Sequence, residues 1–254
     1  MITHFNIPQA ARINTAISKK LFSEKAPLSA SEKRLLREEV ERLTMKGLLQ
    51  TQTVGLAAYT DDEYAYDQVI IAKVSIKNPV KAPAIATMIQ KAFPAPLFLI
   101  LQSDGNYCIN WCVKRVNQSD DSKRVMGEQQ MTRFFVLENS DEIQEQWLSS
   151  LSIPDIECAN LKELYDRLSA KLKMLKVSEE AGIFIELKEK GAEYYHKILE
   201  QLNSNRTEQQ TTKRELKEET QFNRTLRLNS KLRELQDKEK ELKVQLRETK
   251  QSTI

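Results

Sequence analysis

Four carboxylates, Asp61, Asp62, Glu63 and Asp67, are interleaved with Tyr59, Tyr64 and Tyr66. Oxygen ligands gathered in one loop can hold a hard divalent cation. A metal-dependent nuclease would add a lysine on the next strand, so that metal and ammonium meet at the scissile phosphate. Lys73 and Lys77 are placed for that role, and with Asp61, Asp62 and Asp67 they form the catalytic set such an enzyme would use. The strand that should carry an acid-x-lysine reads Ser75-Ile76-Lys77, without the acid. Glu186-Leu187-Lys188, Glu215-Leu216-Lys217 and Glu241-Leu242-Lys243 do have the motif, but all three fall in helical stretches. The acidic run therefore reads first as a solvated turn, and the nuclease is the alternative.

Other chemistry is sparse. The only histidines are His4 and His196, and a lone His196 specifies no catalytic geometry, so it is expected at the surface or a boundary. The six glycines are too dispersed to cradle a phosphate as the nucleotide-binding fingerprints do. Cys108, Cys112 and Cys158 read as reduced, buried thiols, because an odd count gives no disulfide framework. No metal site and no cofactor is expected. Trp111 could stack on nucleic acid if its strand exposed that face, with Lys114 and Arg115 beside it.

The elements that would position these groups follow from periodicity. Ser29 and Glu32 form a capping box for a helix carrying Leu36, Val40 and Leu43, with Gly47 as its stop. Strands are expected at Thr53–Tyr59, Val69–Ile76, Leu97–Leu101, Tyr107–Val116 and Arg133–Leu137. A short helix opens at Pro83, and Asn139 with Glu142 caps another that ends near Trp147. This order gives an α+β fold, a mixed sheet of four to five strands with packed helices, followed by a C-terminal helical, coiled-coil-like arm. The expected divisions are an α+β domain at 1–150 that folds alone, a helical pair at 160–202, with its second helix starting at Ser178, and a basic arm at 206–254.

The segments Asn6-Ile7-Pro8, Ile17-Ser18-Lys19-Lys20-Leu21-Phe22, Leu28-Ser29 with Lys33, and Leu48 to Leu56 with its Thr-Gln-Thr resemble the start of a bacterial family of unknown function. Phe93-Pro94-Ala95-Pro96-Leu97-Phe98 is similar to its Ile-Pro-x-Pro segment, and Cys112-Val113-Lys114 to its x-Lys strand. The resemblance covers roughly the first 150 residues. It implies genes beside a helicase and a DNA methyltransferase in restriction-modification-like or anti-phage loci. It carries over a partner class and no catalytic residues.

Charge is uneven. The chain has 39 Lys/Arg and 36 Asp/Glu, for a net charge of +3, and the excess lies beyond residue 204. In the arm, Leu228, Leu232, Leu235, Leu242 and Leu246 fall on the a and d positions of a heptad seam, with Glu239 at one polar a site. Lys231, Lys238 and Lys243 flank that seam, which has no acid beside it. These leucines and lysines are the expected partner-binding surface. Like charges across a parallel homodimer would repel, so an acidic helix is the expected mate. Residues 178–202, with six glutamates and three lysines, offer one, reached by a reversal at Asn203-Ser204-Asn205. A helicase or methyltransferase partner, a phosphate backbone and self-association all stay open. No apolar run approaches the ~18 residues of a membrane span, and Met1–Asn14 lacks a signal-like apolar core. A cytoplasmic chain is expected.

Overall fold

The computed structural model describes residues 1–118, 120–138, 140–186 and 192–248. The chain divides into two compact units, Met1–Leu172 and Lys173–Ile254.

The first unit contains, in chain order, β1 (Arg12–Ile17), α1 (Lys19–Lys25), α2 (Ala30–Glu39), β2 (Val40–Gln50), α3 (Thr51–Val54), β3 (Tyr59–Thr60), β4 (Ala65–Tyr66), β5 (Gln68–Ile76), α4 (Ala82–Ala92), β6 (Leu97–Ser103), β7 (Asn106–Asn117), β8 (Asp120–Met131), β9 (Phe135–Val136), α5 (Glu142–Ser149) and most of α6 (Leu161–Ala181). The main sheet runs β1-β2-β5-β6-β7-β8, and β9 also pairs with β7. Its pairs are antiparallel except β5 with β6, the one pair joined by a helical crossover, α4. The α+β mixed sheet is as expected, but among the described residues it has seven strands instead of four to five. Two of the unforeseen strands, β1 and β8, lie at the edges and are polar, so alternation does not mark them. Arg133–Leu137 contracts to β9.

The Ser29 capping box forms: the Glu32 amide donates to Ser29 Oγ at 3.2 Å, and the Ser29 amide donates to Glu32 Oε2 at 2.8 Å. The helix ends at Glu39, however, and Val40, Leu43 and Gly47 belong to β2. Two register shifts explain the misleading pattern. Val40, Leu43, Met45 and Leu48 face Ile76, Val74, Ala72 and Ile70, which share one face of β5. Irregularities between Val40 and Arg42 and between Met45 and Gly47 each insert a residue. The spacing along β2 becomes 3, 2, 3 and imitates a helix. The expected strand at Thr53–Tyr59 is also replaced: the one-turn α3 is closed by Gly55 in the left-handed region (φ 73°), a conformation glycine adopts at little cost.

One face of the sheet is covered by α1, α2 and α4. Phe22, Leu36, Ile85, Met88 and Ile89 pack there over Val40, Leu43, Ile70, Val74, Leu97 and Leu99. The other face buries Val69, Ile71, Phe98 and Ile100. There Tyr165 of α6 stacks on Phe98 with ring centroids 4.5 Å apart, and its hydroxyl donates to the Cys112 carbonyl at 2.6 Å. Trp147 of α5 donates its indole N–H to the Lys171 carbonyl at 2.9 Å. The early turns of α6 are therefore part of this unit's core. Asp141 caps α5, accepting from the Gln144 amide at 2.8 Å; the expected cap, Asn139, lies outside the described residues.

The second unit contains the end of α6, α7 (Ala192–Glu218) and α8 (Phe222–Glu248). Ser178 does not start a helix. It lies in the last turns of α6, where its hydroxyl accepts from the Ile185 amide at 2.9 Å, and Gly182 (φ 70°) makes the turn out. Asn203-Ser204-Asn205 is helical, and the chain reverses instead at Glu219-Thr220-Gln221. Asn205 stays in the helix because it is used in the seam, where Gln209 Nε2 donates to its Oδ1 at 2.8 Å. Tertiary contact overrides weak propensity here. The long pair α7–α8 closes an apolar cluster of Met174, Val177, Ala181, Ile185, Tyr195, Ile198, Leu202, Leu242 and Leu246. Residues 187–191, within the second helix of the expected pair, lie outside the described residues.

Candidate functional site

The acidic stretch is a small hairpin, with Tyr59 paired to Tyr66 and Thr60 to Ala65. Asp61 is fully engaged in shaping it. It accepts from the Tyr59 hydroxyl at 2.6 Å and from the amides of Glu63 and Tyr64 at 2.8 and 2.6 Å. The Tyr59 bond foremost, then those amides, hold its carboxyl below the usual range. Glu63 pairs with Arg115 at 2.9 Å. Lys162 of α6 sits 4.7 Å from the centroid of the Tyr64 ring and pairs with Asp166 at 2.7 Å. Asp62 and Asp67 are exposed. Asp67 and Lys73 are separated by six residues of extended chain, about 20 Å at ~3.3 Å per residue, and Lys77 is farther still. The nuclease set of Asp61, Asp62, Asp67, Lys73 and Lys77 does not converge. Among the described residues no group of three His, Cys, Asp or Glu side chains could hold a metal ion.

Lys73 instead belongs to a polar area on the sheet. Cross-strand register places Arg42 opposite Ser75, Ser75 beside Gln102 and Gln102 opposite Tyr107. One rung inward, Lys73 lies between Thr44 and Ile100. Side chains alternate along strands, so both rungs share a face. The Lys73 ammonium is 5.6 Å from the Tyr107 ring centroid. Burial foremost, then Lys46 and Arg42, lower its pKa. Lys46 donates to Asn14 Oδ1 at 2.6 Å. Farther along the same face the covering turns apolar: Gly47 leaves room for Ile7, whose Cδ1 would stand only 3.0 Å from an added Cβ. Ser75, Lys77 and Gln102, with Glu41, Ile76 and Asp104, line a shallow cleft of about 250 Å³ at the carboxyl ends of β5 and β6.

Lys114 and Arg115 do not form one basic patch. Arg115 is exposed, whereas Lys114 is only 2 % exposed and donates to the carbonyls of Phe93 and Ala95, the latter at 2.9 Å. Burial pushes its ammonium down to about 8, with Cys112 acting slightly the other way. The Phe93-Pro94-Ala95-Pro96 segment and the Cys112-Val113-Lys114 strand are thus tied to each other through this side chain. Trp111 is 3 % exposed and offers no stacking surface. Cys108 and Cys112 are buried free thiols and Cys158 is half-buried; burial pushes Cys108 up to about 12. His196 lies on the surface, 3.4 Å from Glu200.

Within the second unit, Leu235, Leu242 and Leu246 are buried in the seam, and Leu228 and Leu232 are half-buried. Lys231 pairs with Glu208 at 2.8 Å and Lys243 with Glu239 at 3.0 Å, while Lys238 is exposed. Glu239, the polar seam residue, also accepts from Gln209 at 2.9 Å and from Arg206, whose guanidinium grips Glu180 at 2.6 and 2.8 Å. Burial raises the Glu239 pKa, but the bonds from Gln209, Lys243 and Arg206 prevail and hold it at about 2. Much of the expected partner surface is therefore satisfied within the chain. The uncovered apolar groups stand nearer the reversal, where Phe222 is 78 % and Leu226 58 % exposed.

Arg42, Lys46, Gln102 and Tyr107 are not among the site residues expected from sequence. Their signal is a polar side chain at alternate positions of strands otherwise buried. No curated protein and no solved structure matches the chain. The family model described as Domain of unknown function (DUF4391) matches residues 5–238, beyond the opening 150 residues and well into the helical pair. The chain belongs to the DUF4391 family.

Proposed function

We propose that the protein is a non-catalytic, cytoplasmic interaction component of a bacterial DNA-processing or phage-defence complex, and that the end of its helical hairpin is the docking element. The observation that carries this reading is the exposure of Phe222 and Leu226 beside Arg224 and Arg227 at the start of α8. Large apolar side chains grouped with cations on a helix suit an amphipathic partner helix with an acidic border. Arg224 is only loosely held in cis, 3.7 Å from Glu219. The partner class, a helicase or DNA methyltransferase of the same locus, comes from the family resemblance described above. Among the described residues no helix is long and apolar enough to cross a membrane.

The test is capture of purified helicase and methyltransferase from the same locus by the full chain, compared with a Phe222→Asp/Leu226→Asp variant. Both positions are exposed, so the fold should survive. Capture by the native chain that falls at least tenfold in the variant supports the reading. Equal capture by both, or none by either, overturns it.

A further inference from the structure

The open half of the sheet face in the first unit carries cations without counter-charges. Among the described residues no carboxylate lies within ion-pair distance of Arg42, Lys46 or Lys73. Arg115 with Glu63 and Lys162 with Asp166 show the paired arrangement elsewhere in this unit. Holding like charges together on a sheet is unfavourable unless an anion joins them. The cations also alternate with neutral hydrogen-bonding groups: the first rung crosses four strands as Arg42, Ser75, Gln102 and Tyr107, a width of about 14 Å at ~4.8 Å per strand. Ser75, Gln102 and Tyr107 are each partly exposed. Tyr107 supplies a ring at the end of that row, and the Lys73 ammonium faces it. Glu41 and Asp104 stand at the strand ends, in the cleft beyond Ser75 and Gln102, and would repel an anion there. They bound the site on that side and leave the rungs themselves cationic.

We propose that this face binds a single nucleic-acid strand, with Arg42, Lys46 and Lys73 on its phosphates and Tyr107 against a base. A basic track beside an aromatic platform is what a strand with unpaired bases can use, since each phosphate needs a cation and each base offers a stacking face. An isolated phosphate would need only one of these cations and would leave Tyr107 unused. The hairpin of the second unit is not required, so this site can stand or fall separately from the docking role proposed above.

The full chain is titrated into fluorescently labelled oligo-dT and oligo-U of about 15 nucleotides, and binding is followed by anisotropy across a salt series. Three phosphate contacts should give a slope of about −2 in log K against log salt, and Arg42→Glu should flatten it by about 0.7 or more. Arg42→Glu/Lys73→Gln should weaken binding at least tenfold, and Tyr107→Ala severalfold with the slope unchanged. Arg227→Glu in the arm should leave binding as it was. Arg42 is exposed, so Arg42→Glu alone carries the test if the Lys73 variant unfolds. No binding at low salt overturns the proposal, as does binding that survives Arg42→Glu or falls only with Arg227→Glu. Binding to phosphatidylserine vesicles or inorganic phosphate without binding to either oligonucleotide also overturns it. A preference between DNA and RNA would identify the strand.

Discussion

Lys114→Met is the most informative single change in the first unit, because burial and hydrogen bonding oppose each other there. The side chain is 2 % exposed, and its ammonium is pushed from the ordinary 10.5 to about 8 by burial. That drop corresponds to roughly 3 kcal/mol against the charged form. Below about pH 8 both folded and unfolded chains hold the proton, so the folded state bears the whole penalty. Between about pH 8 and 10.5 the folded chain releases the proton while the unfolded chain keeps it. The unfolded state then binds more protons, and stability rises with pH. The rise attributable to Lys114 should reach about 1 kcal/mol by pH 9 and somewhat over 2 kcal/mol by pH 10. The neutral amine still donates to Phe93 and Ala95, so the tie survives the titration. In Lys114→Met the two carbonyls lose their donor, at ~1–3 kcal/mol each, while the burial penalty of ~3 kcal/mol disappears. At neutral pH these terms largely offset. At about pH 10 the variant should be weaker than the native chain by about 2 kcal/mol more than at pH 7. Urea unfolding followed by tryptophan fluorescence reads this directly, since Trp111 and Trp147 are both buried in this unit. Groups common to both proteins cancel in the difference. Parallel stability profiles, or a gap that narrows as pH rises, would refute the argument.

Other outcomes follow from the same packing. A chain ending at Ser150 lacks Leu164, Tyr165 and Leu168, all buried, and burial of each is worth about 1.5–3 kcal/mol; it should show no cooperative unfolding, whereas a chain ending at Gly182 should. Arg206→Ala leaves Glu180 and Glu239 without their shared cation and should cost about 1–2 kcal/mol, since the guanidinium is partly exposed; helical circular dichroism in urea measures it. Glu239 is held below its ordinary value, so its contribution is complete above about pH 4.5 and is lost as pH falls towards 2; Glu239→Gln should flatten the acid limb of the melting curve. In native protein a thiol reagent should modify half-buried Cys158 well before Cys108, and equal rates would contradict the burial assigned to Cys108.

Where local chemistry and tertiary packing agree, the fold was legible. Ser29 and Glu32 cap α2 as their spacing requires, and Leu97–Leu101 is buried on both faces as a continuous apolar run should be. Asp104 and Gly105 both adopt positive φ (46° and 78°), as a two-residue hairpin turn demands. Elsewhere two patterns misled. Bulges gave β2 the spacing of a helix, and the edge strand β8 is largely polar, so no apolar alternation marks it. The reversal in the arm was misplaced for a related reason. Asn203-Ser204-Asn205 has the composition of a break, yet Asn205 and Gln209 are buried in the seam with α8, and that packing outweighs weak helix propensity.

The candidate sites were less legible, for a geometric reason. The acidic run stood out because its residues are adjacent in sequence, but adjacency here only shapes a turn: Asp61 spends both carboxylate oxygens on its own loop. The basic face comes from four strands separated by as many as 65 positions, from Arg42 to Tyr107, and exists only once β2, β5, β6 and β7 are in register. No window along the chain contains it. Lys114 shows the converse. It looked like a surface cation beside Arg115, but neighbours on a strand point to opposite faces, so at most one of the two could be in solvent on a sheet covered from one side. The alternation that hid the basic face was enough to show that Lys114 and Arg115 could not act together. What alternation left open was which of the pair is buried, and the two carbonyls of the Phe93–Ala95 segment decide that by giving a buried ammonium somewhere to bond.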